Sequence, residues 1–87
     1  MRIINSHRRF KKQYKKLDHS IQIKVIRKIE LLKSNPFHPL LNRHFLHGEY
    51  EGYESISVTG DFRIIFIDKG KYLELHFIGT HSQLYKN

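Results

Sequence analysis

Apolar residues recur at helical spacing in the first part of the chain and at alternate positions in the last part, dividing it into a helical half and a sheet half. Phe10, Tyr14 and Leu17 fall at i, i+4 and i+7, which predicts a helix with a single apolar stripe and Ser6 as its N-cap. A second helix is predicted from Asp18–Ser20 to about Ser34. Ile21, Val25, Ile29 and Leu32 form its buried stripe, Ile26 widens it, and Pro36 ends it. The break between the two is short, so they are expected to form an antiparallel αα-hairpin whose stripes seek the same apolar partner.

That partner is a sheet. After a linker from Asn35 to Arg43, the segment Tyr53 to Val58 sorts Glu54, Ile56 and Val58 onto one face and Tyr53, Ser55 and Ser57 onto the other. Gly60 and Asp61 turn the chain into Phe62 to Ile67, a central strand interrupted only by Arg63. Asp68 to Lys71 is the next hairpin turn, with Gly70 free to take positive φ. In Tyr72 to Ile78, alternation places Leu73, Leu75 and Phe77 on one face and Tyr72, Glu74, His76 and Ile78 on the other. Arg2 to Ile4 reads as a short first strand. The expected fold is α+β: a short N-terminal strand, an αα-hairpin packed on an antiparallel sheet of three to four strands, and a short C-terminal element.

A chain of 87 residues holds one core, so residues 1–87 are expected to form a single domain. Its 39% hydrophobic content excludes intrinsic disorder, and the lack of cysteine excludes disulfides and thiolate zinc sites. No apolar run approaches a membrane span and no signal-peptide core follows the N-terminus, which predicts a cytoplasmic protein. The net charge of +8 favours a polyanionic or acidic partner. Much of it lies between Arg8 and Lys16, on the polar side of the first helix.

Seven histidines are the candidate chemistry. His7, His19, His38 and His76 lie near helix starts, in the linker or mid-strand, and are given no catalytic role. His44, His47, Asp61, Arg63, His81 and Tyr85 instead lie where strands begin, turn or end, where polar groups can converge on a rigid frame. Their spacing matches no zinc pattern. Metal-free RNA cleavage needs a base for the 2′-hydroxyl, a cation for the phosphorane and an acid for the 5′-oxygen, and these residue types cover those tasks. Each position also has a structural use: Asp61 can cap a turn, Tyr85 can close the core, and Arg63 can lie over an aromatic ring or pair with Glu54 or Glu74.

The blocks His44-Phe45-Leu46-His47-Gly48, Gly52-Tyr53, Gly60-Asp61-Phe62-Arg63-Ile64-Ile65-Phe66 and Gly79-Thr80-His81-Ser82-Gln83-Leu84-Tyr85 resemble the bacterial RelE/ParE toxin superfamily, in particular its YafQ-like branch. The closing block is the most discriminating. The resemblance implies the toxin of a type II toxin–antitoxin pair, acting as a ribosome-dependent, metal-independent mRNA endonuclease. It implies no cofactor. It also implies a cognate antitoxin, a ribosome with mRNA in the A site, and DNA reached only through an antitoxin complex.

By the same resemblance, His44, Asp61, His81 and Tyr85 match the branch's catalytic positions, and Arg63 matches the superfamily's phosphate-handling arginine. His81 is then the favoured acid and His44 or Asp61 the base, although the labels are interchangeable at this level. Where the branch often carries a further histidine, this chain has Ser57, which can orient a phosphate but cannot replace an imidazole; His47 is a candidate substitute. The alternatives are a ParE-like gyrase inhibitor, which needs no acid–base set, and a non-catalytic antitoxin-binding module.

Overall fold

The structure of the protein, a computed structural model, describes residues 2–85. The chain runs β1 (Ile3–Ser6), α1 (Arg8–Lys15), α2 (His19–Ser34), a 3₁₀ turn (Pro39–Leu41), β2 (His44–Phe45), a second 3₁₀ turn (Gly48–Tyr50), β3 (Glu54–Ser57), β4 (Phe62–Asp68), β5 (Tyr72–Thr80) and α3 (His81–Leu84). The strands form one sheet in the order β1-β5-β4-β3-β2. The four strands β2 to β5 pair antiparallel, as expected, and β1 joins the free edge of β5 in parallel.

The helices cover one face of this sheet. Phe10, Val25 and Leu32 meet Ile56, Val58, Ile64, Phe66, Leu73, Leu75 and Ile78 in the main core, with Tyr14, Leu17, Ile21 and Ile29 packed at its margin. Two local expectations change. Ser6 is not the cap of α1, because β1 runs two residues further than expected and pairs Ser6 with Leu75. His7 caps instead, its Nδ1 accepting from the Arg9 amide at 3.1 Å. Ile26 does not widen the buried stripe of α2. It is 50% exposed and lines a groove between α1 and α2 with Phe10, Tyr14 and Ile29.

The largest departure from simple alternation is in β5. Ile65 pairs with Phe77 and Phe66 with Leu75, so His76 is an extra residue opposite the Ile65/Phe66 step. Such a bulge reverses the facing of everything beyond it. Leu73, Leu75 and Ile78 therefore enter the helix-side core, while Phe77 turns to the open face. The expected grouping of Phe77 with Leu73 and Leu75, and of Ile78 with Tyr72, is thus corrected by one inserted residue. Beyond the end of β1 the edge of β5 is covered by α1, where the Gln13 side-chain oxygen accepts from the Ile78 amide at 2.9 Å. This contact blunts an edge that would otherwise be open to pairing.

A buried ion pair anchors the linker. Arg43 donates to both carboxylate oxygens of Glu54, at 2.6 and 2.9 Å, and reaches Asp68 at 3.2 Å. Its guanidinium stacks on Phe37 and lies near Phe66, and Asp68 also receives Arg2 at 2.6 Å. Burial pushes the Asp68 carboxyl up, but the Gly70 amide, Arg2 and Arg43 outweigh it and hold the group below its ordinary value of 3.8. A carboxyl depressed in the folded state stabilises above the unfolded value and loses that contribution as pH falls through the folded one. Acid unfolding is therefore expected to steepen below about pH 4, and the acid limb of Asp68→Asn should be shallower when both are followed by urea titration at pH 6 and pH 3. Equal acid sensitivity of the two proteins would contradict this reading of Asp68.

Candidate active site on the open face of the sheet

The strand register builds the site. Ser57, Arg63 and Gly79 form one row across β3, β4 and β5, and His44, Ser55, Ile65 and Phe77 form the next row across β2 to β5. Paired residues of neighbouring strands point to the same side, so both rows lie on the face away from α1 and α2, where Ser55 and Ile65 are themselves fully buried. At the end of this face His44, Arg63, His81 and Tyr85 surround a depression of about 390 Å³, together with Asn42 and Leu46.

Each side chain is held in a way that leaves a useful group free. The Nδ1 of His44 lies 2.9 Å from the Asn42 carbonyl, which can only accept, so that nitrogen carries the proton and donates. In neutral His44 the other ring nitrogen, Nε2, then keeps its lone pair. Asn42 reaches this position by adopting a left-handed backbone at φ 49°, a conformation asparagine tolerates better than most residues. The Nη1 of Arg63 donates to the carbonyls of Thr59, Gly60 and Phe62 at 3.0 to 3.2 Å. Its Nε and Nη2 make no hydrogen bond among the described residues, leaving the edge of the fork that suits two oxygens of a phosphate.

His81 and Tyr85 come from α3. Thr80 caps this short helix in a reciprocal capping box with Gln83, and the His81 amide donates to the Asp61 carbonyl at 3.1 Å. One helical turn later, the Tyr85 ring lies 4.7 Å from the His81 ring. Tyr50 clamps the helix from the opposite side. Its hydroxyl donates to the Leu84 carbonyl at 2.9 Å, and its ring meets Tyr85 edge to face at 5.8 Å. Burial, with Glu49 next in importance, raises the Tyr50 phenol above its ordinary value, so it remains a donor.

The other three candidates sit at the rim. Asp61 is exposed in the β3–β4 turn and touches the site through its backbone; the turn is capped by the Thr59 hydroxyl, not by the Asp61 carboxylate. Ser57 stands beside Arg63, and the Asn42 side-chain amide approaches its hydroxyl at 3.5 Å. His47 lines an adjoining cavity rather than this one. Arg63 pairs with neither Glu54 nor Glu74: Glu54 is taken by Arg43 and Glu74 by His76. Of the histidines given no catalytic role, His7 and His38 cap helical turns, and His76 stacks on His7 at 5.1 Å.

Gly79 is needed for close approach. A Cβ there would stand 2.9 Å from the Gln83 side-chain oxygen, which is already committed to the Thr80 amide at 2.9 Å. Gly79→Ala is expected to break the capping box at a cost of about 1 kcal/mol. Hydrogen exchange should then quicken at the Gln83 and Tyr85 amides, with the β3 and β4 amides unchanged. Unaltered exchange throughout would show that α3 does not depend on this contact.

Sequence reasoning missed Asn42, Leu46 and Tyr50. Asn42 could have been suspected because it follows the helical Pro39–Leu41 turn, where an asparagine often takes the left-handed cap. Tyr50 carried no local signal, because its partners Leu84 and Tyr85 are far along the chain.

The YafQ family model, described as a bacterial toxin of type II toxin–antitoxin system, matches residues 2–86. The crystal structure of YafQ from Escherichia coli strain BL21(DE3) is 25% identical, with a TM-score of 0.82 over 98% of this chain and 99% of that one. YafQ in the E. coli DinJ–YafQ toxin–antitoxin complex is also 25% identical, with a TM-score of 0.76 over 97% of each chain. A YoeB/ParE toxin from Agrobacterium tumefaciens shares the fold at 23% identity, with a TM-score of 0.74 over 91% of this chain and 98% of that one. No curated protein sequence matches. With the family match spanning nearly the whole chain and the fold shared with YafQ, this protein belongs to the YafQ family of bacterial type II toxin–antitoxin toxins.

Proposed function

We propose that this toxin is a ribosome-dependent mRNA endonuclease. The observation that carries the reading is the convergence of His44, Arg63, His81 and Tyr85 on one open depression, with a free imidazole nitrogen and a free guanidinium edge. In the proposed reaction the substrate's 2′-oxygen attacks the adjacent phosphorus while its proton passes to His44 Nε2. Asp61, at the rim, is the alternative acceptor. Arg63 holds the non-bridging oxygens as charge builds on the phosphorane. The bond from phosphorus to the 5′-oxygen breaks, and His81 gives that oxygen a proton. The products are a 2′,3′-cyclic phosphate and a 5′-hydroxyl. Tyr85 packs against the nucleotide, and Ser57 assists in orienting the phosphate.

The lysines and arginines of α1 supply non-specific attraction to RNA, and the ribosome supplies placement of the message in the A site. DinJ in the E. coli complex gives the model for a partner. For this chain we expect an acidic cognate antitoxin that neutralises the +8 surface. Among the described residues no helix is long and apolar enough to cross a membrane.

The test compares cleavage of one message on programmed ribosomes and free in solution. Fast cutting on ribosomes, slow cutting of free message, and suppression by the product of an adjacent gene are expected. Equal rates on both substrates would remove the ribosome from the mechanism. Inhibition of DNA gyrase without RNA cleavage would replace the proposal altogether.

A further inference from the structure

A second cavity, of about 430 Å³, adjoins the candidate active site and shares Tyr85 as a wall. Its apolar sides are Tyr50, Phe77, Leu84 and Tyr85, and the Arg9 guanidinium covers one face of the Phe77 ring at 4.0 Å. Tyr50 stands edge-on to both other rings, at 5.5 Å from Phe77 and 5.8 Å from Tyr85. Phe77 is present only because the His76 bulge turns it to this face.

The polar sides are Glu49, Gln13, Gln83 and His47. Both glutamines use their side-chain oxygens as acceptors, for the Ile78 and Thr80 amides respectively. Their amide nitrogens therefore remain as donors. Glu49 forms no ion pair or side-chain hydrogen bond among the described residues, so the Glu49 side of the cavity offers an uncommitted carboxylate.

We propose that this cavity is a guanine-selective subsite for a nucleotide flanking the scissile phosphate. This rests on the nuclease reading for its place in the reaction. Aromatic walls of this size take a nucleobase that has left its stack. A carboxylate accepts two parallel hydrogen bonds from the ring N–H and amino group of guanine. Adenine and cytosine set a ring acceptor beside their amino group, and uracil sets carbonyls beside its ring N–H, so each would place a lone pair against the carboxylate. The glutamine amides match the remaining guanine acceptors, O6 and N7. Glu49, Tyr50, Gln13 and Phe77 are thus assigned as specificity residues.

The experiment titrates the full-length protein with each of the four nucleoside 5′-monophosphates, which share a phosphate and differ only in base, while observing the aromatic NMR signals. GMP is expected to shift the Tyr50, Phe77 and Tyr85 signals and to bind at least about fivefold more tightly than the other three, the low end for a bidentate base contact because Glu49 is exposed. Glu49→Gln should abolish that preference. Silence of these rings towards GMP, equal response to all four nucleotides, or a preference surviving in Glu49→Gln would each overturn the proposal.

Cleavage mapping on ribosomes then separates the subsite from the nuclease reading. A guanine enriched at one fixed position beside the cut, and lost in Glu49→Gln, supports both. Selective GMP binding with no RNA cleavage supports the subsite and overturns the nuclease reading. Cleavage with a base preference untouched by Glu49→Gln overturns the subsite alone.

Discussion

Replacing His81 with alanine is expected to slow cleavage on programmed ribosomes by a factor on the order of 10²–10⁴, the usual contribution of a positioned acid or base. The side chain is exposed at the start of α3, and the backbone contacts that fix the helix, from the His81 amide to Asp61 and from the Tyr85 amide to His81, survive the change. Folding, ribosome association and antitoxin binding should therefore persist. His81→Gln keeps hydrogen-bonding capacity without imidazole proton transfer and should be nearly as slow. Single-turnover rates at saturating protein, with the bound fraction measured separately, isolate the chemical step. Near-wild-type rates in both variants would reject His81 as the acid. Retained activity in His44→Ala and Asp61→Asn as well would dismantle the proposed set while leaving family membership intact.

Arg43→Met is expected to cost about 3–5 kcal/mol of folding stability, a large share of the roughly 5–15 kcal/mol typical of a domain. Glu54 is 4% exposed and would lose both donors that make its buried charge tolerable. The interaction itself contributes less than that loss, because both groups were desolvated to form it. Arg43→Met combined with Glu54→Leu should therefore recover much of the stability. Urea unfolding at neutral pH checks both, read from the midpoint with the slope unchanged. A single-variant loss below about 1 kcal/mol would mean that water reaches the pair. Because Arg43 precedes His44, the single variant is also expected to loosen His44, the proposed base, and to lower the cleavage rate.

Periodicity carried the architecture well. The stripe of Val25 and Leu32, the central strand around Ile64 and Phe66, and the turn at Gly70, with φ 87°, follow from spacing and residue type alone. What it could not carry was any effect of one inserted residue, because alternation read locally continues straight through His76 and puts Phe77 and Ile78 on the wrong faces. The parallel placement of β1 was equally hidden, since a four-residue strand has no directional signature apart from its partner. At the site, terminal and turn positions directed attention to His44, Arg63, His81 and Tyr85, which the fold brings together. The supports Asn42 and Tyr50 act through a backbone carbonyl and a distant helix, neither of which leaves a local pattern. The Arg43–Glu54 pair was obscured because alternation treats Glu54 as one more residue of the inward set and says nothing about how its charge is satisfied.

The pairing of β1 with β5 has a consequence for how the toxin comes into being. Synthesis delivers Ile3 well before Tyr72, its register partner. Until then β1 has no strand to join, α1 has no β5 edge to cover, and the Thr80–Tyr85 block does not exist. A nascent chain therefore carries its basic helix early, and the depression lined by His44, Arg63, His81 and Tyr85 is completed only after β5 and α3 have been made.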